Sequence, residues 1–280
     1  MEWKIVVDTS SNLREMPDLP ENIEFEYVPF YLQVDEETVV DDADVNLAEL
    51  FDRFKAAEQT ASACPSPQAF AEAFTGAKNI ICITITSNLS GSYNSAVNGR
   101  QLALEQNPEQ NIFILDSRTA GGEVDLLAEK AAELIQETHD FEQVVAGLKA
   151  YHEKTDVVFI LKSVDNLVTN GRVSRLVGSV VGLLNLRLIG TRTPEGTIEL
   201  SHRVRGNKRG IKKTIAEMES RGYQGGRVVI SEHESLDYAQ DFEEALLKKY
   251  PEAAIEMLRG SALCAYYAER GGVILGFDRD

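Results

Sequence analysis

Apolar residues along the chain alternate between short continuous runs and stretches with helical spacing. The runs at residues 4–8 and 79–85 each lead into hydroxyl-bearing residues, as buried strands do where they enter a polar turn. Residues 46–57 carry apolar side chains at helical spacing, and Ser66-Pro67 combines a helix N-cap with a proline at the first helical position. This alternation predicts a parallel sheet flanked by helices through about residue 155.

The same pattern predicts the remaining elements. In the first part of the chain we expect strands at 25–32 and 112–115 and helices at 93–106, 124–138 and 141–152. After a strand at 157–161 and a mixed, glycine-containing stretch at 167–186, Pro194-Glu195-Gly196 separates the two strands of a hairpin, 187–191 and 197–204. Helices at 208–221, 238–249 and 261–270 then alternate with strands at 227–231, 255–258 and 273–277. We therefore predict an α/β protein with an N-terminal domain at 1–155 and a C-terminal α/β domain at 156–280.

Composition and charge narrow the class of partner. The chain has 280 residues, is 43% hydrophobic and carries a net charge of −17, which is ordinary for a globular protein but repels nucleic acids and anionic membranes. No apolar run reaches the ~20 residues of a membrane helix. The N-terminus has no basic segment followed by an apolar one, so we expect a cytoplasmic protein.

The residues that hold metals, cofactors and disulfides are sparse. Cys64, Cys82 and Cys264 stand far apart, and the four histidines form no metal-binding motif. The glycine-rich loops of ATP-binding and dinucleotide-binding proteins are missing, as is the G-x-S-x-G turn of hydrolases. We expect no disulfide, no metal and no cofactor.

A basic band at 187–213 stands out on this acidic chain. It holds eight lysines and arginines against two glutamates, whereas the first 60 residues hold 16 acidic and 4 basic residues. The band is either a solvated face or a contact with an anionic ligand or an acidic partner.

Two hydroxyl-rich segments are the best candidates for a ligand site. Residues 84–93 lead from a strand into a helix, and Ser90-Gly91 falls where free N–H groups favour an anion. In residues 60–66, predicted as a turn, Ser66 caps a helix and leaves Ser62 free to face a ligand. An ordinary N-cap and a loop serine are the alternatives. Asp8-Thr9-Ser10 and Asp116-Ser117 end two more strands, which would gather all these turns at one edge of a parallel sheet.

Several motifs, taken in order, resemble those of the DegV family of bacterial fatty-acid-binding proteins, which includes the acyl-carrying subunit of fatty acid kinase. They are Lys4-Ile5-Val6-Val7-Asp8-Thr9-Ser10, Ser62-Ala63-Cys64-Pro65-Ser66, Ser90-Gly91-Ser92-Tyr93-Asn94-Ser95-Ala96, Asp116-Ser117, Asn170-Gly171-Arg172 and Val204-Arg205. The resemblance covers essentially the whole chain. It departs from the family's T-S-x-P-S motif, where Ser62 stands for the threonine and Ala63 for the first serine.

The resemblance implies one long-chain fatty acid such as palmitate, with its tail in an apolar tunnel between the domains and its carboxylate on Ser62 and Ser90. It places Arg172 and Tyr267 in the vicinity of the head group, with Tyr267 where members commonly carry a histidine, and it assigns Arg205 to contact with a kinase partner. The protein would then be a binding subunit without catalytic activity of its own, used for lipid transport or to present fatty acid to an ATP-dependent fatty acid kinase in phospholipid metabolism.

Two other functions stay open on the sequence. Ser90 could be the nucleophile of an acyl hydrolase with His202 or His233 as its general base. Alternatively, the chain could be a phosphosugar- or dihydroxyacetone-binding subunit, whose cavity would be short and polar.

Overall fold

The computed structural model describes residues 2–173 and 185–279. In this part of the chain the strands are β1 (Trp3–Asp8), β2 (Ile23–Val28), β3 (Tyr31–Val34), β4 (Glu37–Val40), β5 (Thr60–Ala63), β6 (Asn79–Thr84), β7 (Asn111–Asp116), β8 (Thr155–Leu161), β9 (Leu186–Arg192), β10 (Ile198–Arg205), β11 (Arg227–Glu232), β12 (Ala254–Arg259) and β13 (Val273–Asp278). The helices are α1 (Leu47–Ala56), α2 (Pro67–Ala73), α3 (Ser92–Gln106), α4 (Gly122–Thr138), α5 (Phe141–His152), α6 (Asp165–Thr169), α7 (Asn207–Ser220), α8 (Leu236–Lys249) and α9 (Ala262–Ala268).

A four-stranded parallel sheet, ordered β2-β1-β6-β7, forms the first layer. Alternate residues of its central strands face opposite sides, because successive side chains of a strand point to opposite faces. Ile5 and Ile81 pack with α4 and α5, whereas Val6 and Ile80 pack with α2 and α3. Both faces are therefore covered, and β1 and β6 are buried throughout.

A six-stranded sheet, ordered β10-β9-β8-β13-β11-β12, forms the second layer. All neighbouring strands are antiparallel except β11 and β12, which are parallel. One face packs on α7 and α8 through residues such as Ile160, Ile230 and Phe242. On the other face Phe159 and Leu188 pack with residues of α6.

Helix α4 lies between the two sheets. It contacts β1 and β6 of the parallel sheet and β8, β11 and β13 of the mixed sheet. Its first seven residues are all buried, including the charged Glu123 and Asp125. The two sheets thus share one helical layer.

A small antiparallel sheet, ordered β4-β3-β5, lies beside the parallel one. It packs with α1 and with α9, so that Leu32 and Leu50 share a cluster with Ala265 and Tyr266. Helix α9 belongs to the last part of the chain, and this contact therefore brings it against residues of the first.

The predicted fold class, a parallel sheet followed by a second α/β unit, is confirmed. The single strand predicted at 25–32 is wrong: β2 ends at Val28 and β3 begins at Tyr31 in another sheet. Pro29 lacks the N–H that a continuing ladder needs. The turn predicted at 60–66 begins instead as strand β5. The domain boundary near residue 155 stays a prediction, and residues 174–184 of the mixed stretch lie outside the described residues.

Candidate functional site

A cavity lies between the loops at the carboxyl edge of the parallel sheet and the inner face of the mixed sheet. Most of its wall is apolar, formed by Phe30, Ile85, Leu89, Val157, Phe159, Leu161, Leu167, Ile198, Leu263 and Ile274. Such a wall suits a hydrocarbon ligand, because burial of apolar surface supplies the affinity.

Four of the residues predicted from the sequence line this cavity together: Ser62, Ser90, Arg172 and Tyr267. The hydroxyl oxygens of Ser62 and Tyr267 are 2.7 Å apart, and the Arg172 guanidinium lies 5.8 Å from the centre of the Tyr267 ring. Arg172 Nε also donates to the carbonyl of Leu89, the neighbour of Ser90, at 3.2 Å. Two hydroxyls, a phenol and a cation therefore meet at one part of the wall.

The loop that carries Ser90 is held by the buried carboxylate of Asp8, at the end of β1. Asp8 accepts hydrogen bonds from the backbone N–H of Ile85 at 3.0 Å and from the Ser92 hydroxyl at 2.6 Å. Burial raises the pKa of this carboxyl, and its hydrogen bonds with Ser10, Ser92 and Ile85 lower the pKa by less. The sequence pointed to the turn after β1, but not to this role of Asp8 in shaping the Ser90 loop.

Ser90 is not the N-cap of α3. Gly91 takes that position and makes no side-chain cap bond, while the Ser90 hydroxyl oxygen accepts from the Ser92 N–H at 3.2 Å. A second strand end joins this edge, since Asp116 accepts from the Ser87 N–H at 3.0 Å. The segments that follow β1, β6 and β7 therefore meet at one edge of the parallel sheet as expected, whereas Ser62 reaches the cavity from β5 of the small sheet.

Ser62 lies in a strand and not in a turn. It pairs with Leu32 in the β3–β5 ladder, and its side chain is half-buried while those of Ala61 and Ala63 are exposed. Ser66 caps α2 as predicted and accepts from the Ala69 N–H at 3.1 Å. Strand alternation therefore turns the hydroxyl of Ser62 inward.

The turn before Arg172 is tied to the rest of the site by Tyr266. Gly171 has a φ of +74°, a conformation that glycine adopts without strain. The Asn170 amide donates to the Tyr266 hydroxyl at 3.0 Å, and that hydroxyl lies 2.9 Å from the Thr60 hydroxyl. Neither Tyr266 nor Thr60 was predicted from the sequence, although Tyr266 adjoins Tyr267 and Thr60 lies two residues before Ser62.

Burial raises the pKa of the Tyr267 phenol, and the hydrogen bond with Ser62 and the charge of Arg172 lower it by less. The phenol is therefore protonated at neutral pH and has an O–H group to donate.

The hairpin turn between β9 and β10 closes another part of the wall. The carbonyls of Glu195 and Gly196 accept from the Asn88 amide at 2.6 Å and from the Thr86 hydroxyl at 2.9 Å. The carbonyl of Pro194 lies 3.5 Å from a guanidinium nitrogen of Arg118. Gly196 has a φ of +85°, and a Cβ there would lie 2.3 Å from the Thr86 hydroxyl oxygen.

Arg205 does not line the cavity. It is exposed at the end of β10, near the exposed Lys208, Arg209 and Lys212 at the start of α7. The basic band is not one surface, since Arg187 and Arg192 are buried. Arg187 donates to the Asn207 side chain and the Gly271 carbonyl, and Arg192 donates to the Glu123 carboxylate.

The two histidines considered as bases lie outside the cavity lining. His202 pairs with Glu217 at 2.8 Å, and His233 is fully buried with its Nδ1 3.2 Å from the carbonyl of Gly272. Within residues 2–173 and 185–279, no three His, Cys, Asp or Glu side chains form a group that could hold a metal ion. No helix in the same ranges is long and apolar enough to span a membrane.

Comparisons with known proteins show the family to which the chain belongs. A family model described as "Uncharacterised protein, DegV family" matches residues 2–277. A DegV domain-containing protein of Streptococcus pneumoniae is 43% identical over 281 residues, covering 100% of both chains. The crystal structure of the Streptococcus pneumoniae Fatty Acid Kinase (Fak) B3 protein loaded with linoleic acid matches with a TM-score of 0.97 and 42% identity, over 100% of both chains. A DegV family protein from Eubacterium eligens loaded with heptadecanoic acid matches with a TM-score of 0.95 and 31% identity, over 99% of this chain and 100% of that one.

Proposed function

The chain belongs to the DegV family, and we propose that it binds one long-chain fatty acid, such as palmitate, with the carboxylate on Ser62 and Ser90. The observation that carries this proposal is the apolar cavity in which Ser62, Ser90, Arg172 and Tyr267 meet. The similar proteins of known structure were loaded with linoleic acid and with heptadecanoic acid.

The acyl chain supplies most of the affinity. Burying ~14 methylenes at ~0.8 kcal/mol each gives on the order of 11 kcal/mol before the costs of association. Several kcal/mol are lost again in ordering the chain and restricting its motion. The polar groups therefore set the orientation of the fatty acid more than its binding strength.

Ser62, Ser90, Arg172 and Tyr267 form what we call the polar corner of the cavity. The carboxylate fits there because each of these groups can donate a hydrogen bond. Ser62 and Ser90 offer hydroxyls, the start of α3 offers free backbone N–H groups, and Arg172 brings a positive charge over the Tyr267 ring. Since Tyr267 can donate its proton to the Ser62 oxygen, the Ser62 hydrogen is free to point at the ligand.

The protein acts as a binding subunit and presents the bound carboxyl group to a partner kinase. Arg172 has a planar fork of donors suited to phosphate oxygens, and it stands at the polar corner where a phosphate would arrive. Arg205 belongs to an exposed group of cations on a chain of net charge −17, which suits an acidic surface of a partner.

Neither alternative function finds support at this site. A hydrolase based on Ser90 needs a general base within reach, and neither His202 nor His233 lines the cavity. A phosphosugar would leave the long apolar wall without a partner, because such a ligand is short and polar.

Organic extraction of the purified protein followed by mass spectrometry tests the proposal. We expect a roughly stoichiometric fatty acid of about 14–18 carbons, a range that includes the linoleic and heptadecanoic acids of the similar structures and the ~14 methylenes used above. In parallel, added palmitate should raise the melting temperature of delipidated protein, and small phosphorylated polyols should not. An extract without lipid, together with no stabilisation by palmitate, would reject the function.

A further inference from the structure

A row of opposed positions runs across the inner face of the mixed sheet, beside the cavity. Ile274 of β13 lies opposite Phe159 of β8. Phe159 in turn lies opposite Gly190 of β9, which lies opposite Leu200 of β10. Residues directly opposite each other in antiparallel strands point to the same face of the sheet. Ile274 and Phe159 line the cavity, and Gly190 leaves a gap in this row of apolar side chains.

The ring of Phe159 fills this gap. A Cβ atom at Gly190 would lie 2.5 Å from Cζ and 2.7 Å from Cε2 of Phe159, closer than real Cβ contacts allow. The end of the ring thus occupies the space of the missing side chain and lies across β9. Phe159 is 8% exposed and belongs to the cavity wall, so the position of its ring sets the width of the cavity here. A glycine inside a strand is otherwise unfavourable and often marks such a close approach.

A side chain at position 190 would drive this ring into the cavity. The ring has no room on the other face of the sheet, where Ile160 and Ile189 pack with residues of α7 and α8. It has none along its own face either, because Leu161 and Leu188 are buried in the same apolar cluster as Phe159. The cavity is the side that is open to it.

We infer that Gly190 sets the length of acyl chain that the cavity accepts, because it lets the Phe159 ring lie across β9. Gly190 does not itself line the cavity, so it is a positioning residue that acts through Phe159. A ring that projects into the cavity shortens the path open to the tail and leaves the polar corner as it is. This inference rests on the proposed fatty-acid site and assigns to it a determinant of chain length.

Gly190 also lies close to the main chain of β10. A Cβ atom there would lie 2.5 Å from the Glu199 carbonyl oxygen, in a strand whose register shifts between Leu200 and His202. A glycine needed only for this approach of β10 would not act on the ligand through the Phe159 ring. The two roles can be separated, because Phe159→Leu removes the clash with the ring and leaves the clash with the carbonyl.

Laurate, myristate, palmitate, stearate and arachidate, each titrated against a fluorescent fatty-acid probe, measure the accepted length. In wild type the affinity should rise about fourfold for each methylene until the cavity is full, and we call the length at which the rise stops the break-point. Gly190→Ala should shorten the break-point by about two carbons, so that the longest acid that wild type accommodates binds about fifteenfold more weakly. Phe159→Trp keeps the glycine but enlarges the ring, and it should also shorten the break-point. The double variant Gly190→Ala/Phe159→Leu should restore the break-point of wild type.

Gly147→Ala is the matched control, because a Cβ atom at Gly147 in α5 would lie 2.8 Å from the Leu134 side chain, and neither residue lines the cavity. This variant should keep the break-point of wild type. Three results overturn the inference: an unchanged break-point in Gly190→Ala, a shift in that variant that persists in the double variant, or an equal shift in Gly147→Ala. If Gly190→Ala does not fold, an unchanged break-point in Phe159→Trp overturns the inference. If wild type binds none of the acids, the proposed function itself is rejected.

Discussion

The hydroxyl oxygen of Ser62 lies 2.7 Å from the phenolic oxygen of Tyr267, although the two residues are 205 positions apart in the chain. One belongs to β5 and the other to α9, so the contact joins an early strand to a late helix at the polar corner of the cavity. The hydroxyl that is proposed to meet the carboxylate is therefore oriented by a second hydroxyl.

Replacing Tyr267 by phenylalanine should weaken fatty-acid binding by about 1 kcal/mol, because Ser62 loses the partner that orients it. The same replacement in a Ser62→Ala background should have little effect, since the pair is already broken. Displacement titrations on the four proteins of this double-mutant cycle measure the coupling. Two effects that simply add would show that the 2.7 Å contact has no part in binding.

Ser90→Ala should weaken binding or misorient the carboxylate by ~1–3 kcal/mol, because a buried carboxylate oxygen loses a charge-assisted partner. Combined with Ser62→Ala the loss should be less than additive, since both serines are proposed to hold one group. Ser220→Ala, an exposed position on α7, is the control and should bind normally. Unchanged affinity in the double variant would refute the head-group assignment.

Arg172→Lys and Arg205→Ala should retain fatty acid but lose acyl-phosphate formation with a cognate kinase and ATP. Lysine keeps the charge of Arg172 but lacks the planar fork that matches phosphate oxygens. Alanine at Arg205 removes one cation from the exposed surface proposed for docking. Fatty-acid binding is measured alongside turnover in both variants. Normal turnover in both would reject the hand-over roles, and no turnover even in wild type would point to a carrier without a kinase step.

Glu123→Gln should destabilise the fold by about 3 kcal/mol, because the buried Arg192 guanidinium loses the carboxylate that accepts its two hydrogen bonds and keeps only the weaker pairing with Asp156, 3.5 Å from its Nε. Glu123 is fully buried in α4, and Arg192 reaches it from β9 of the mixed sheet. Asp52→Asn removes an exposed ion pair with Arg270 and should cost less than about 1 kcal/mol. Urea unfolding measures the free energy of unfolding of both variants. Equal decreases in the two variants would contradict the idea that burial makes the Glu123–Arg192 pair more important than the exposed pair.

The free energy of unfolding should decrease as the pH falls from about 6.5 to about 4, because His233 is buried in its neutral form. Burial lowers the pKa of His233 to about 4 from its ordinary value of 6.5, so in this window the unfolded chain takes up a proton that the folded protein excludes. Between pH 7 and pH 5 the loss should be about 2 kcal/mol.

Comparison of wild type with His233→Asn isolates the contribution of His233 to this loss of stability, because asparagine can donate to the Gly272 carbonyl without titrating. Asp125, whose pKa burial raises to about 6, contributes in the opposite direction to both proteins and cancels. Unfolding curves of the two proteins at pH 7 and pH 5 give the difference. The same pH dependence in both would mean that His233 is not the titrating group.

Local signals explain what the sequence predicted well. Ser66-Pro67 marks the start of α2 through a cap and a proline, and both act within one helical turn. The small sheet was missed because its signal is non-local: Ser62 pairs with Leu32, thirty residues earlier in the numbering, and the four residues of β4 are largely exposed and do not alternate between apolar and polar. Hydrophobic pattern identifies a strand that is buried on one face and is weak for a strand whose side chains are largely exposed.

The sequence was enough to predict which residues line the cavity, but not how these residues contact one another. Ser62, Ser90, Arg172 and Tyr267 followed from motifs, and they do line one cavity. The Tyr266 hydroxyl that joins Asn170 to Thr60 depends on three segments meeting in space, for which a single sequence carries no mark.

The turn between β9 and β10 holds its place through main-chain oxygens. Because every residue type supplies a carbonyl, side chains at Pro194 and Glu195 can change without loss of the bonds from Arg118 and Asn88. Gly196 is the exception, since its positive φ and the nearby Thr86 oxygen leave no room for a Cβ. At Pro194 and Glu195 the turn can therefore tolerate sequence change, and a relative could present different side chains here to a partner while this wall of the cavity keeps its shape.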